Sequence, residues 1–194
     1  MWVNKKPLWH RRSRGLIIDR TVLVDFSGKT WEQRGEIFNS VNLAMSGIAQ
    51  KSDYSKYVTV LSFGEKLNVH RYWQPAYRAK PLEKGEWKRE RRTAFYDALI
   101  EAMRMAYKRT GALVDASKAR IEFIVYFDGV DTHSVATKED VKKALEFVMS
   151  CPGTWDFYME LGDKRSLSFE EALGIELDYV KRHRHPKDCV YSKT

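Results

Sequence analysis

The stretch VLVDFSGKT, Val22 to Thr30, can be read in two ways. Its end, Gly28-Lys29-Thr30, matches the close of a phosphate-binding loop. Its middle, Asp25-Phe26-Ser27, sets a carboxylate and a hydroxyl two residues apart, directly after an apolar run. Hard divalent cations take oxygen ligands of this kind. A phosphate loop requires G-x-x-x-x-G-K-[ST], because its backbone N–H groups must curl around the phosphates before the helix begins. The first glycine would fall at position 23, which is Leu23, inside the apolar run. About three residues are left for the loop, too few to cradle a diphosphate. A nucleotide-binding reading therefore stays as the weaker alternative.

Composition frames the rest. The chain has 194 residues, 43% hydrophobic and 13% aromatic, values of a globular domain with a substantial core rather than of a disordered chain. No apolar run approaches the length that crosses a bilayer. The basic start, MWVNKKPLWHRRSRG, lacks the apolar stretch of a secretion signal. Cys151 and Cys189 form neither a C-x-x-C pair nor a disulfide framework, so a reducing compartment fits. The expectation is a cytoplasmic protein or, for a viral source, one of the virion or host cell. The net charge of +8 is carried at the ends: residues 1–14 hold +5 and residues 181–194 hold +4, which leaves −1 for the body. The chain accordingly divides into a basic N-terminal extension (1–14), a single domain (15–180) and a basic C-terminal tail (181–194). Within the body, residues 71–92 carry eight Lys/Arg against three Glu. Such stretches attract phosphates or acidic partners, although most are plain solvated surface.

Strand and helix patterns alternate along the body. Residues 16–27 end in a nearly continuous apolar run, the pattern of a strand buried on both faces. Thr30-x-x-Gln33 predicts a helix start, and Ile37, Val41, Ala44 and Ile48 follow on one helical face. Residues 56–64 and 66–73 predict a hairpin turning at Gly64-Glu65. Residues 74–92, with Pro75 and Pro81, predict a long loop holding a short helical turn. Thr93 is expected to open a helix whose buried face is Phe95, Leu99, Ala102 and Ala106. A second apolar strand, 119–129, again ends in an aspartate, Asp128. Thr137-x-x-Asp140 predicts the cap of a helix over 137–150 with Val141, Ala144, Leu145 and Val148 inward, ended by Pro152-Gly153. A strand over 154–162 and a helix from Ser168 to Leu173, closed by Gly174, complete the pattern. The alternation predicts an α/β domain: a mostly parallel sheet, one antiparallel edge strand and helices on both faces. Asp25 and Asp128 would lie on the rim of carboxyl-terminal strand ends where such sheets bind ligands.

With DFSGK at 25–29, TAFYDAL at 93–99, FDGVDTHS at 127–134 and LGDKRSLSFEEALGI at 161–175, in that order, the chain resembles the von Willebrand factor type A domains over residues 18–176. The resemblance implies a Rossmann-like fold and a metal-ion-dependent adhesion site. In that site Asp25, Ser27, Thr93 and Asp128 would hold Mg²⁺, or Mn²⁺ or Ca²⁺, directly or through water. Asp131 and Ser134 would be outer partners, a part that ordinary loop polarity explains equally well. The motif departs from D-x-S-x-S at Lys29, which stands in place of the second serine. The ammonium either swings outward, leaving a weakened metal site, or pairs with Asp25 or Asp128 and takes the metal's electrostatic place.

No G-x-S-x-G and no Ser-His-acid arrangement occurs, so no enzyme is expected. His183, His185 and Cys189 lack a fourth ligand and read better as basic tail. The expected function is a non-enzymatic protein-binding module of adhesion or assembly type. It would engage an acidic group of a protein partner through the metal rim, with Arg71, Trp73, Trp87, Arg91 and Arg92 flanking the contact. The alternative is nucleic-acid binding through the tails and residues 71–92, where aromatic side chains interleave with cations.

Overall fold

A computed structural model describes residues 16–27, 32–48, 55–116, 118–127, 130–151, 154–161 and 173–174. Strand β1 (Ile17–Asp25) is the centre of a five-stranded sheet. On one side it pairs in parallel with β2 (Lys56–Phe63), which turns into the antiparallel edge strand β3 (Leu67–Pro75). On the other it pairs in parallel with β4 (Ala119–Phe127), which pairs in parallel with β5 (Thr154–Leu161). The spatial order β3-β2-β1-β4-β5 reverses direction at β1. The carboxyl end of β1, Asp25, therefore lies at a topological switch point, where α/β sheets open a crevice for ligands. This is the α/β architecture that the alternation of patterns predicts.

Because successive strand side chains alternate between faces, each inner strand feeds two cores. Val22, Val24, Val58, Val60, Ile124 and Tyr126 meet Ile37, Val41, Ala44 and Met45 of helix α1 (Arg34–Ser46). On the opposite face, Leu23, Leu61, Ile121, Phe123 and Phe157 lie under α2 (Phe95–Asp115) and α3 (Lys138–Ser150). Central strands buried on both faces have no polar side to show, which is why their sequences read as unbroken apolar runs. Among the described residues no helix is long and apolar enough to cross a membrane.

Local chemistry explains most boundaries. Thr137 takes the N–H of Asp140, whose carboxylate reaches back to the Thr137 N–H at 2.9 Å: the capping box expected for α3. Gly174 has φ +56, the left-handed value that suits glycine after a helix. Residues 76–78 and 84–86 form single 3₁₀ turns within the long loop. Gly64 at the hairpin turn is required by close approach, since a Cβ there would overlap the side chain of Glu90. The expected cap at Thr30 and the helix from Ser168 lie outside the described residues, apart from Gln33, Leu173 and Gly174. At the start of α2 the finding differs from expectation. The helix begins at Phe95 with Ala94 in the cap position, and Thr93 does not cap it.

Candidate functional site

Thr93 does something else. Its hydroxyl is hydrogen-bonded to Ser27 Oγ, 66 residues away in the chain. Ser27 in turn donates its hydroxyl to Asp25 Oδ1 at 2.7 Å and its backbone N–H to the same oxygen at 2.8 Å. Asp25, Ser27 and Thr93 are all buried. One carboxylate and two hydroxyls thus converge at the end of the central strand. Among the described residues no cluster of three or more His, Cys, Asp or Glu could hold a metal, so any cation here would rest on hydroxyl as well as carboxylate oxygens. That donor set suits a hard ion such as Mg²⁺, which keeps several waters and needs few protein ligands. Asp128 and Lys29, the other two expected members, lie outside the described residues.

Two segments fix this rim. The loop 130–136 crosses the start of α2. Thr93 N–H donates to Thr132 Oγ1 at 3.0 Å, and the Thr93 carbonyl accepts the N–H groups of Thr132 and His133, each at 2.9 Å. Asp131 accepts the Tyr96 N–H at 3.0 Å, and Ser134 Oγ the Asp97 N–H at 3.2 Å. Asp97 returns the favour by accepting the N–H groups of Val135 and Ala136 at 2.9 and 2.8 Å. The N–H groups that a helix start leaves unpaired are therefore capped across the fold by Asp131 and Ser134, which frees Thr93 for the rim. Burial raises the Asp131 pKa, but hydrogen bonds from the Ser134 hydroxyl and from the N–H groups of Tyr96, Ser134 and His133 outweigh it and hold the carboxyl below its ordinary range.

The second segment is 84–93. Glu90 turns inward to accept the N–H groups of Glu65 and Lys66 and the side-chain amide of Asn68, while its own N–H donates to the Phe26 carbonyl at 3.1 Å. Ser27 and Glu90 form an isolated parallel bridge. Nothing in the sequence singled out Glu90; the one hint was a glycine at the turn it covers.

The residues expected to flank the contact divide. Arg91 and Arg92 are exposed beside Thr93. Arg71 grips Glu86 through two bonds of 2.6 and 2.7 Å and the carbonyls of Lys80 and Pro81 at 3.2 and 3.1 Å, tying the loop to β3. The hydrogen bonds from Arg71 hold the Glu86 carboxyl below its ordinary range. Trp73 stacks on Tyr57, with ring centroids 4.6 Å apart, and its backbone N–H donates to Thr59 Oγ1 where the β2–β3 register shifts. Trp87 is buried against Phe26, Phe38 and His70 and belongs to the core in this conformation. The contacts of all three come from distant parts of the chain, to which a local reading of aromatics interleaved with cations has no access.

No family model matches the chain, and no curated protein matches it. Solved structures do. The pilus adhesin SpaC from Lactobacillus rhamnosus GG, in its open conformation, aligns with a TM-score of 0.50 at 16% identity, over 62% of this chain and 16% of its own. The ArnB paralog VWA2 from Sulfolobus acidocaldarius aligns with a TM-score of 0.44 at 16% identity, over 74% of this chain and 34% of its own. Proximal thread matrix protein 1 from the mussel byssus aligns with a TM-score of 0.47 at 10% identity, over 75% and 38%. The chain thus spans only a minor part of each of these proteins, and what it shares with the adhesin is an α/β fold.

Proposed function

We propose that the chain is a non-enzymatic protein-binding module of the type A kind. On this reading Asp25, Ser27 and Thr93, joined by Asp128 through the resemblance, hold a divalent ion, Mg²⁺ first, and an acidic group of a protein partner completes the coordination. The observation that supports it is the convergence of Asp25, Ser27 and Thr93, brought from two distant segments to hydrogen-bond distance at the switch point of the sheet. A buried carboxylate is stable when it is paired or coordinates a cation. On this reading a divalent ion and the ammonium of Lys29 are alternative cations for the site, and titration separates them. Calorimetry with Mg²⁺ is expected to show binding that Asp25→Asn abolishes. Lys29→Ser, which restores the second hydroxyl of the motif, is expected to tighten it by about 1–3 kcal/mol, since like charges near 4 Å repel by roughly 4 kcal/mol before solvent relaxation. No heat with either wild type or Lys29→Ser would remove the metal from this reading.

The exposed cations Lys88, Arg89, Arg91 and Arg92 favour the second reading, nucleic-acid binding. It predicts an affinity that falls steeply as salt rises and that drops on removal of residues 1–14. A flat salt response would exclude it.

A further inference from the structure

Beside the rim lies a cavity of about 410 Å³. Its floor is aromatic: Phe26, the residue between the two rim ligands Asp25 and Ser27, packs on Trp87 with ring centroids 3.7 Å apart, and Phe38 packs on Trp87 at 5.7 Å. The exposed residues Glu32, Arg34, Gly35 and Lys84 complete its described lining, two cations to one acid. Segment 84–93 joins cavity to rim, since Lys84 and Trp87 line the first and Thr93 belongs to the second. Along it Lys88, Arg89, Arg91 and Arg92 are exposed, and no ion pair engages them among the described residues. The two acids in that stretch are committed elsewhere, Glu86 to Arg71 and Glu90 to the hairpin turn. Across the rim, Val130 and Val135 are exposed at 56% and 92%.

Gly35 adds an independent observation. It sits in the first turn of α1, and a Cβ built on it would meet nothing within 4 Å. Neither turn geometry nor packing demands glycine there. Any larger residue would project at the mouth of the cavity.

We propose that this cavity is a second anchor for the partner that the rim engages. It takes an aromatic or branched apolar side chain from a peptide segment of a partner protein, flanked by acidic residues that lie along the cations of 88–92. The proposal rests on the rim reading above and names the partner's chemistry. A buried apolar side chain beside carboxylates matches the aromatic floor and the surplus of cations together. A nucleobase matches less well. It needs an open aromatic face to stack on. The rings of the floor are tilted against one another by 52° and 60°, and His70 stacks on Trp87 with an interplanar angle of 12°.

The test uses two labelled peptides, acetyl-Glu-Asp-Phe-Glu-Asp-amide and its Phe-to-Ala counterpart, with a 15-nucleotide oligo-dT as a third probe. Each is titrated against wild type, Gly35→Leu and Phe38→Ala, in Mg²⁺ and in EDTA. Gly35→Leu removes no contact and fills the mouth; Phe38→Ala removes part of the floor. Wild type is expected to bind the Phe peptide about tenfold more tightly than the Ala peptide, the effect of burying one such side chain. Both variants are expected to shrink that ratio to nearly one while circular dichroism stays unchanged. Equal binding of the two peptides by wild type, or binding of neither, overturns the proposal. So does oligo-dT binding that Gly35→Leu weakens, which assigns the cavity to a nucleobase. A Phe/Ala ratio that persists in EDTA with overall affinity reduced supports cavity and metal rim together. A persisting ratio with affinity unaltered by EDTA supports the cavity and overturns the metal.

Discussion

Asp19 and Asp25 project from the same face of β1, six residues apart, and both are buried. Asp19 lies under α2 and is gripped by Arg109 through two bonds of 2.9 and 3.0 Å, with Thr110 Oγ1 donating at 3.3 Å. On the opposite face of the same end of the sheet, Arg20 is buried against Glu122, and Arg120 bridges Glu122 and Asp156. Asp25, near the other end of α2, takes its described hydrogen bonds from the hydroxyl and N–H of Ser27. One end of the strand satisfies a carboxylate with a cation built into the fold. The other places the hydroxyls of Ser27 and Thr93 beside a carboxylate, the arrangement that the proposed reading fills with a cation brought from outside. A strand end at the switch point that carries acid and hydroxyls together is the one to examine for ligands.

The largest effect expected from this contrast is at the structural end. Asp19→Ala strands the Arg109 guanidinium, whose side chain is only 4% exposed, and is expected to cost about 3–5 kcal/mol of stability. Urea denaturation measures it, and Mg²⁺ affinity should not change. A cost near zero would mean that water reaches Arg109, and the contrast would fail on its structural side.

At the rim the balance reverses. Ser27→Ala removes the hydroxyl bond to Asp25 and the bond to Thr93 but keeps the backbone. The expected loss of stability is about 1–2 kcal/mol, together with loss of most Mg²⁺ binding. If Ser27→Ala costs as much stability as Asp19→Ala and leaves metal binding intact, the two ends are alike and the rim is structural.

A smaller effect belongs to the cap that releases Thr93. Ser134→Ala leaves the Asp97 N–H without its acceptor and is expected to cost about 1 kcal/mol. Mg²⁺ affinity should fall only slightly, because Asp131 still holds the Tyr96 N–H at 3.0 Å. An affinity loss as large as that of Ser27→Ala would make the loop part of the site itself.

The fold was largely legible because its signals are local or periodic. β1 and β4 announce themselves as apolar runs, and α3 as a capping box with inward residues at Val141, Leu145 and Val148. The site was legible only in part. Asp25 and Ser27 share a strand end, so their pairing follows from spacing. That Thr93 joins them was implied by the resemblance alone; its physical ground, Asp131 and Ser134 taking over the cap from more than thirty residues further on, is not local. The grip of Arg71 on Glu86 and two loop carbonyls, nine to fifteen residues away, has no local signal. The cavity was invisible for the same reason: Phe26, Phe38 and Trp87 come from β1's end, α1 and the long loop, and nothing in the chain marks them as neighbours.

Acid offers the finest probe of the contrast. The hydrogen bonds on Asp131 favour its ionised form in the folded state, so its pKa there lies below the ordinary 3.8. An acid whose folded pKa is depressed adds stability above its unfolded pKa and loses it as pH falls through the folded value. The cap on α2 should therefore act in full at neutral pH, weaken below pH 3.8 and vanish once Asp131 is protonated. Asp131→Asn removes the titration and keeps the shape. Stability curves of wild type and Asp131→Asn should differ at neutral pH and converge as pH falls below 3.8, with wild type the more stable wherever they differ. Curves that stay parallel through that range would show that Asp131 holds the Tyr96 N–H by shape alone, and that the charge at this end of α2 does not help to position Thr93.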